Sequence, residues 1–279
     1  MSEEKKADTW TKLEHIDRRI LYWILAAIIV FSLLFPIGFP LKISPRTKDF
    51  NQVLQKVPDG SAIVFSIDAT VETWPENGPG AVAIAKYIGS RHFKTIIWGF
   101  LPDASLLAEK YVVPVLKEAG LKYGEDYMFM GFFPGGETTV ARLANDIQGV
   151  IKKDFYGNLI ENSPMMKDIR SAKDIALVID IDGTNGTEFY VRHWKPAGVS
   201  IISTVVGVII SGYLPFLESG QLSGMLMGIK GNAEFEKLTD RLGKGMSAMD
   251  MLSLAQTALI LLIIIGNITL IRRWLGRRG

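Results

Sequence analysis

The chain carries three long apolar runs, and the middle one, Val199–Phe216 (VSIISTVVGVIISGYLPF), most restricts its fold. Read as a membrane helix, its eighteen residues reach only the lower end of a bilayer-spanning length. Ser200, Ser203, Thr204, Gly207, Ser211, Gly212 and Pro215 interrupt it, and nearly every apolar residue from Val199 to Ile210 is β-branched. Such side chains lose χ1 freedom in a helix and pack well on a pleated sheet. A short Val/Ile run closed by Ser-Gly therefore predicts a strand over Val199–Ile210, buried on both faces as in a parallel sheet. The alternative, a span over Val199–Phe216, gives a three-helix membrane protein. Charge parity separates the two. Arg18 and Arg19 precede the first apolar run, and Arg272, Arg273, Arg277 and Arg278 follow the last. Basic flanks favour the cytoplasm, and two cytoplasmic ends require an even number of spans.

The expected organisation is a cytoplasmic tail over 1–19, a transmembrane helix over 20–41, an extracytoplasmic domain over 42–250, a second transmembrane helix over 251–271 and a basic cytoplasmic tail over 272–279, all in a cell membrane. Tyr22 and Trp23 lie where interfacial aromatics anchor a span. No small-x-small cleavage site follows the first run, which reads as an uncleaved anchor. Asn267 falls inside the last run; an amide in lipid seeks a partner, so it marks either a helix–helix contact or the interface. About 205 residues lie between the spans, enough for one α/β domain.

Within that domain strands alternate with helices. SAIVFSID (Ser61–Asp68), KTIIWGF (Lys94–Phe100), YMFMGF (Tyr127–Phe132), IALVIDI (Ile175–Ile181) and Val199–Ile210 read as strands, and Phe189–His193 as a short edge strand. Phe50–Val57, Ala81–Arg91, Ala104–Gly120, Thr138–Ile151 and a closing Gly220–Leu238 read as helices; Asp103 is the expected N-cap of the third, and Pro114 its kink. Alternation of this kind implies parallel strands and right-handed crossovers. The prediction is an open, doubly wound, Rossmann-like, mostly parallel sheet of about five strands, with one transmembrane helix at each end.

Composition narrows the chemistry. Net charge is +2, so no nucleic-acid partner is expected. There is no cysteine, which excludes disulfides, thiolate catalysis and Cys-based zinc sites. His15, His92 and His193 are the only histidines, too few for a multi-His metal site. The first β–α turn reads DATVETWPENGPG and lacks Gly-x-Gly-x-x-Gly, which disfavours a dinucleotide site.

Ligands of open α/β sheets bind beyond the carboxyl ends of the strands. Asp68, Asp103, Asp180 and Asp182 are therefore candidates for one rim, where their mutual repulsion needs compensation. Water, a cation with oxygen ligands, a cationic molecule or a basic partner could supply it. Gly135-Gly136 before a helix could present N–H groups to an anion, or simply make a tight turn. Gly220, Gly224 and Gly228 fall four apart, on one face of the expected closing helix, and Glu218, Gln221, Asn232 and Glu234 are polar candidates around it.

Asp180-Ile181-Asp182-Gly183-Thr184 after an apolar strand resembles the first motif of the haloacid-dehalogenase phosphohydrolases, Asp-x-Asp-Gly-Thr. The resemblance implies Asp180 as nucleophile, Asp182 as general acid/base and a nearby Mg²⁺. It covers this strand end alone, sits on the fourth strand rather than the first, and is followed by Asn185-Gly186 where that family is apolar. Asn185-Gly186-Thr187 is also a glycosylation sequon. With no complete catalytic set and no cofactor identified by sequence, the expected role is a ligand-binding or assembly subunit of a membrane complex. Its expected partners are the bilayer and a membrane protein or a second copy. The alternative is the Mg²⁺-dependent phosphohydrolase.

Overall fold

Parallel pairing sets the architecture. In the computed structural model, which describes residues 17–34 and 38–276, six strands form one sheet in the order β3-β2-β1-β4-β5-β6. They are β1 Ala62–Asp68, β2 Lys94–Gly99, β3 Tyr127–Phe132, β4 Leu177–Asp182, β5 Ser200–Val205 and β6 Gly224–Met227. Every pairing between them is parallel. The order is that of the doubly wound Rossmann-like sheet, with its reversal between β1 and β4. Helices α1 Arg18–Leu34, α2 Pro45–Lys56, α3 Trp74–Gly89, α4 Ala104–Leu107, α5 Val113–Glu118, α6 Gly136–Asn145, α7 Ile147–Val150, α8 Gly186–His193, α9 Ile210–Glu218, α10 Gly228–Leu238 and α11 Lys244–Gly276 complete the described chain.

The contacts divide it into two units, Leu41–Gly245 and the flanking segments Met1–Pro40 with Met246–Gly279. In the first, alternation along each strand builds two cores. Ile63, Phe65, Ile67, Ile179, Ile181 and Ile202 pack beneath α2, α3 and α10 through residues such as Phe50, Ile84 and Phe235. Val64, Trp98, Val178, Ile201 and Val205 pack on the other face beneath α6, α8 and α9, with Val140, Tyr190 and Tyr213. The strands read from β-branched runs are buried on both faces, as parallel strands under two helical layers must be.

Four elements differ from the sequence reading. The strand expected over Val199–Ile210 ends at Val205, and Ile210–Glu218 is helix α9. At Val205 the chain reaches the sheet rim, and a parallel crossover must then return along the sheet, most readily as a helix. The apolar run is thus shared between strand and helix and is no single span. The closing helix begins at Gly228, because Gly224–Met227 is a sixth strand paired with Ile202–Val205. Gly220, Gly224 and Gly228 consequently share no helical face: Gly220 and Gly228 have φ of 74° and 59°, and a Cβ on Gly224 would come within 2.9 Å of the Phe50 Cα. Phe189–His193 lies in α8, where Tyr190 and Trp194 are buried four apart and Glu188 pairs with Arg192 outside. The helix expected over Ala104–Gly120 is interrupted by a π-helical turn, Ala108–Val112, just before Pro114, whose missing N–H cannot continue the ladder.

In the flanking unit, Asp250 is 1% exposed, and its carboxylate accepts the backbone N–H groups of Gly38 at 2.7 Å and Phe39 at 3.0 Å. Among the described residues one helix is long and apolar enough to cross a membrane, Lys244–Ile264, with mean hydropathy 1.8; Arg19–Ser32 is a shorter apolar helix. The Asn267 amide donates to the Ile263 carbonyl at 2.8 Å, one turn back in its own helix. Residues 1–16 of the expected cytoplasmic tail lie outside the described residues.

Candidate functional site

The site grows from a break in the alternation. On the face that carries Val64, Val178 and Ile201, the next inward positions are Ser66 and Asp68 on β1, Asp180 and Asp182 on β4, and Ser203 on β5. Register places Ser66 opposite Asp180, Asp180 opposite Ser203, and Asp68 opposite Asp182. All five are buried, with Asp180 and Asp182 at 0% exposure and Asp68 at 1%.

Each carboxyl has its own surroundings. Asp68 Oδ1 accepts the Phe100 N–H at 2.6 Å from the β2 loop, and Oδ2 accepts Ser66 Oγ at 2.6 Å. Tyr190 donates to that Ser66 Oγ at 2.9 Å and accepts Trp98 Nε1 at 2.7 Å. Asp180 Oδ2 accepts Thr187 Oγ1 at 2.7 Å, and the same hydroxyl lies 2.8 Å from Ser203 Oγ. Asp180 Oδ1 is buried with no donor to it. Asp182 Oδ1 accepts the N–H groups of Thr184 at 2.8 Å and Gly186 at 3.2 Å, while Oδ2 accepts the Thr187 N–H at 3.2 Å and the Tyr213 hydroxyl at 2.5 Å. The Asn77 amide closes the same corner by donating to the Asp182 carbonyl at 2.7 Å.

Burial dominates the electrostatics. It raises Asp68 from the ordinary carboxylate range to about 6, opposed by the Ser66 and Phe100 hydrogen bonds. Burial likewise pushes Asp180 well up, and the charges of Asp68 and Asp182 add to it. Tyr190 and Tyr213 are also raised, first by burial and then by these carboxylates. Among the described residues no Lys, Arg or His forms an ion pair with Asp68, Asp180 or Asp182.

The rim above the cluster is closed by the same chemistry. Asp103 stands at the expected N-cap position of α4 but makes no side-chain capping bond; its Oδ2 accepts the Val71 N–H at 2.8 Å, tying the β2 loop to the β1 loop. Glu76 Oε1 accepts the Gly207 N–H at 2.6 Å, tying α3 to the β5 loop. A Cβ on Gly183 would collide with the Thr73 side chain, so the β4 and β1 loops meet directly at the switch point. Backbone N–H groups and hydroxyls thus offset part of the repulsion expected among strand-end carboxylates, leaving Asp180 Oδ1 without a donor. Asp68, Asp180 and Asp182 do converge, with Asp103 at the loop edge beyond them.

The other candidates lie elsewhere. Glu218 and Gln221 are exposed. Asn232 is 0% exposed and bridges Thr204 Oγ1 at 2.7 Å to the Glu76 carbonyl at 2.8 Å. Glu234 is 1% exposed; its Oε2 accepts Ser44 N at 2.9 Å, Ser44 Oγ at 2.6 Å and Thr47 Oγ1 at 2.6 Å, anchoring the start of α2. Gly135 and Gly136 have φ of 105° and 50° and lead into α6. There, Glu137 pairs with Arg192 at 3.0 Å and His193 at 2.9 Å beside a shallow groove of about 440 Å³. The sequence reading missed Ser66, Ser203, Thr187, Tyr190, Tyr213 and Glu76. The period-two placement of Ser66 and Ser203 was the available signal; Tyr190 arrives on a helix read as a strand, and Tyr213 on a helix that begins where the expected strand Val199–Ile210 ended.

The residues do not fit the Mg²⁺ that the phosphohydrolase resemblance implies. The oxygens of Asp68 and Asp182 face N–H and O–H donors, and among the described residues no three His, Cys, Asp or Glu side chains are grouped to hold a metal ion. Within the sequon, the acceptor Asn185 is exposed while Thr187 is 0% exposed.

No protein-family model matches the chain. No curated protein matches it either. Among solved structures, the C-terminal domain of a glycosyl transferase group 1 family protein (LpcC) from Francisella tularensis aligns over 79% of this chain and 95% of its own, with 11% identity and a TM-score of 0.35. A likeness of that degree carries no functional argument.

Proposed function

We propose that this chain is a membrane-anchored α/β domain that serves as a binding or assembly subunit of a membrane complex. One observation carries the non-enzymatic reading. At the switch point, where a doubly wound sheet ordinarily receives its ligand, the protein's own Asp182 takes the N–H groups that open α8. A helix N-terminus of this kind suits an anion, and here the anion is internal. Asp180, the nucleophile of the alternative reading, has no exposed surface.

The membrane part is supported by the apolar helix Lys244–Ile264 and by the basic residues at both ends. On this reading α1 and α11 both enter the bilayer, the termini are cytoplasmic, and the domain is extracytoplasmic. Two measurements test the proposal. The full-length protein with Mg²⁺ and a generic phosphate ester should show no turnover; robust hydrolysis lost in Asp180→Asn would instead establish the phosphohydrolase. Extraction in mild detergent should yield a particle larger than one chain in its micelle. A single chain under all mild conditions would sink the assembly role.

A further inference from the structure

We propose that Asp68 and Asp180 share one proton in the folded domain, and that this proton is a built-in pH-sensitive tie between β1 and β4. The argument begins with hydrogen-bond supply. Asp68 already accepts one donor on each oxygen, whereas Asp180 has one donor on Oδ2 and none on Oδ1. The two side chains stand diagonally on adjacent strands, on the same inward face, and both are buried. Two ionised carboxylates offer only acceptors, so without a proton the pair leaves the buried Asp180 Oδ1 with nothing to bond. Placed on Asp180 Oδ1, it satisfies the one orphaned oxygen of the cluster and removes a buried charge that has no cation beside it.

The groups facing the pair come from every element packed on it. They are Ser66 from β1, Trp98 from β2 with the Phe100 N–H beyond it, Asp182 from β4 and Ser203 from β5. Thr187 and Tyr190 come from α8, and Tyr213 from α9. Asp182, Tyr190 and Tyr213 are the titratable members besides the pair, and Glu188 acts on Tyr213. Both tyrosines are raised and hold their protons. The pair therefore titrates as a unit whose steps belong to neither residue alone.

The sign follows from linkage. A carboxyl raised in the folded state contributes stability that is complete below its unfolded value and is lost as pH rises through its folded value. For the pair that window opens near the ordinary 3.8 and extends past about 6.

The test uses the full-length protein in detergent micelles. The wild type at neutral pH should show the infrared carbonyl band of a protonated carboxylic acid, and Asp180→Asn should lack it. Asparagine supplies an N–H where the acid supplies an O–H, so the variant should also lose less thermal midpoint than the wild type between about pH 5 and pH 8. Should the variant not fold, the wild-type band and its disappearance on raising the pH still decide the matter. Absence of the band in folded wild type near pH 5, or midpoints of the two proteins falling in parallel, would overturn the proposal.

Discussion

Asp182 meets four donors, three backbone and one phenolic, and each makes a prediction at single-residue resolution. Tyr213→Phe removes the hydroxyl while keeping the ring in its pocket. Because the bond is to a carboxylate, the expected loss is about 1.5–3 kcal/mol of unfolding free energy, measured by chemical denaturation. No change would mean that Asp182 is held by the backbone alone. Thr187→Val keeps the shape and removes the hydroxyl between Asp180 and Ser203. It should cost about 1–3 kcal/mol by the same measurement. Two of the three carboxylates were legible as an Asp-x-Asp strand end, and Asp68 as the last residue of a strand. Most of their partners were not, because Thr187, Tyr190 and Tyr213 belong to other elements.

Among the elements, β6 and α2 carry the clearest dependence on contacts remote in sequence. β6 has four residues, the first of them Gly224, and its local text favours no strand. It pairs because β5 offers an edge and α2 lies close enough that only hydrogen fits at Gly224. Gly224→Ala should displace α2 and cost about 1–3 kcal/mol through overpacking, seen as a lower thermal midpoint. An unchanged midpoint would show that the gap can widen freely. At the start of α2, Glu234→Ala strands three donors from Ser44 and Thr47. Its expected cost is at least about 3 kcal/mol, with faster amide exchange in the first turn of α2 as the local sign. A variant as stable as wild type would show that water replaces the carboxylate.

For the whole molecule, residues 41–245 form a compact unit with its own two cores. That segment expressed alone should be soluble and folded without detergent, with mixed α/β circular dichroism. One starting at Asp49 should be less stable, since it lacks Ser44 and Thr47 and leaves Glu234 buried without them. If 41–245 requires detergent throughout, the division between domain and membrane segments is wrong. Topology is tested in intact cells: protease should reach domain loops and spare tags at both termini. Termini on opposite sides would remove the two-span arrangement.

The sequence by itself determined the alternation of strands and helices, the parallel sheet that follows from it, the buried character of β1, β4 and β5, and the apolar ends. These depend on side-chain period and branching within a few residues. Tertiary structure alone decided that β1 lies beside β4, that the apolar run ending at Phe216 turns from strand to helix at the rim, and that Asp68 meets Asp180. It also decided that the N–H groups above the sheet receive Asp182 instead of a ligand. Strand order and register bring these groups together across long stretches of chain, and a buried polar atom must find its partner there, wherever that partner stands in the sequence.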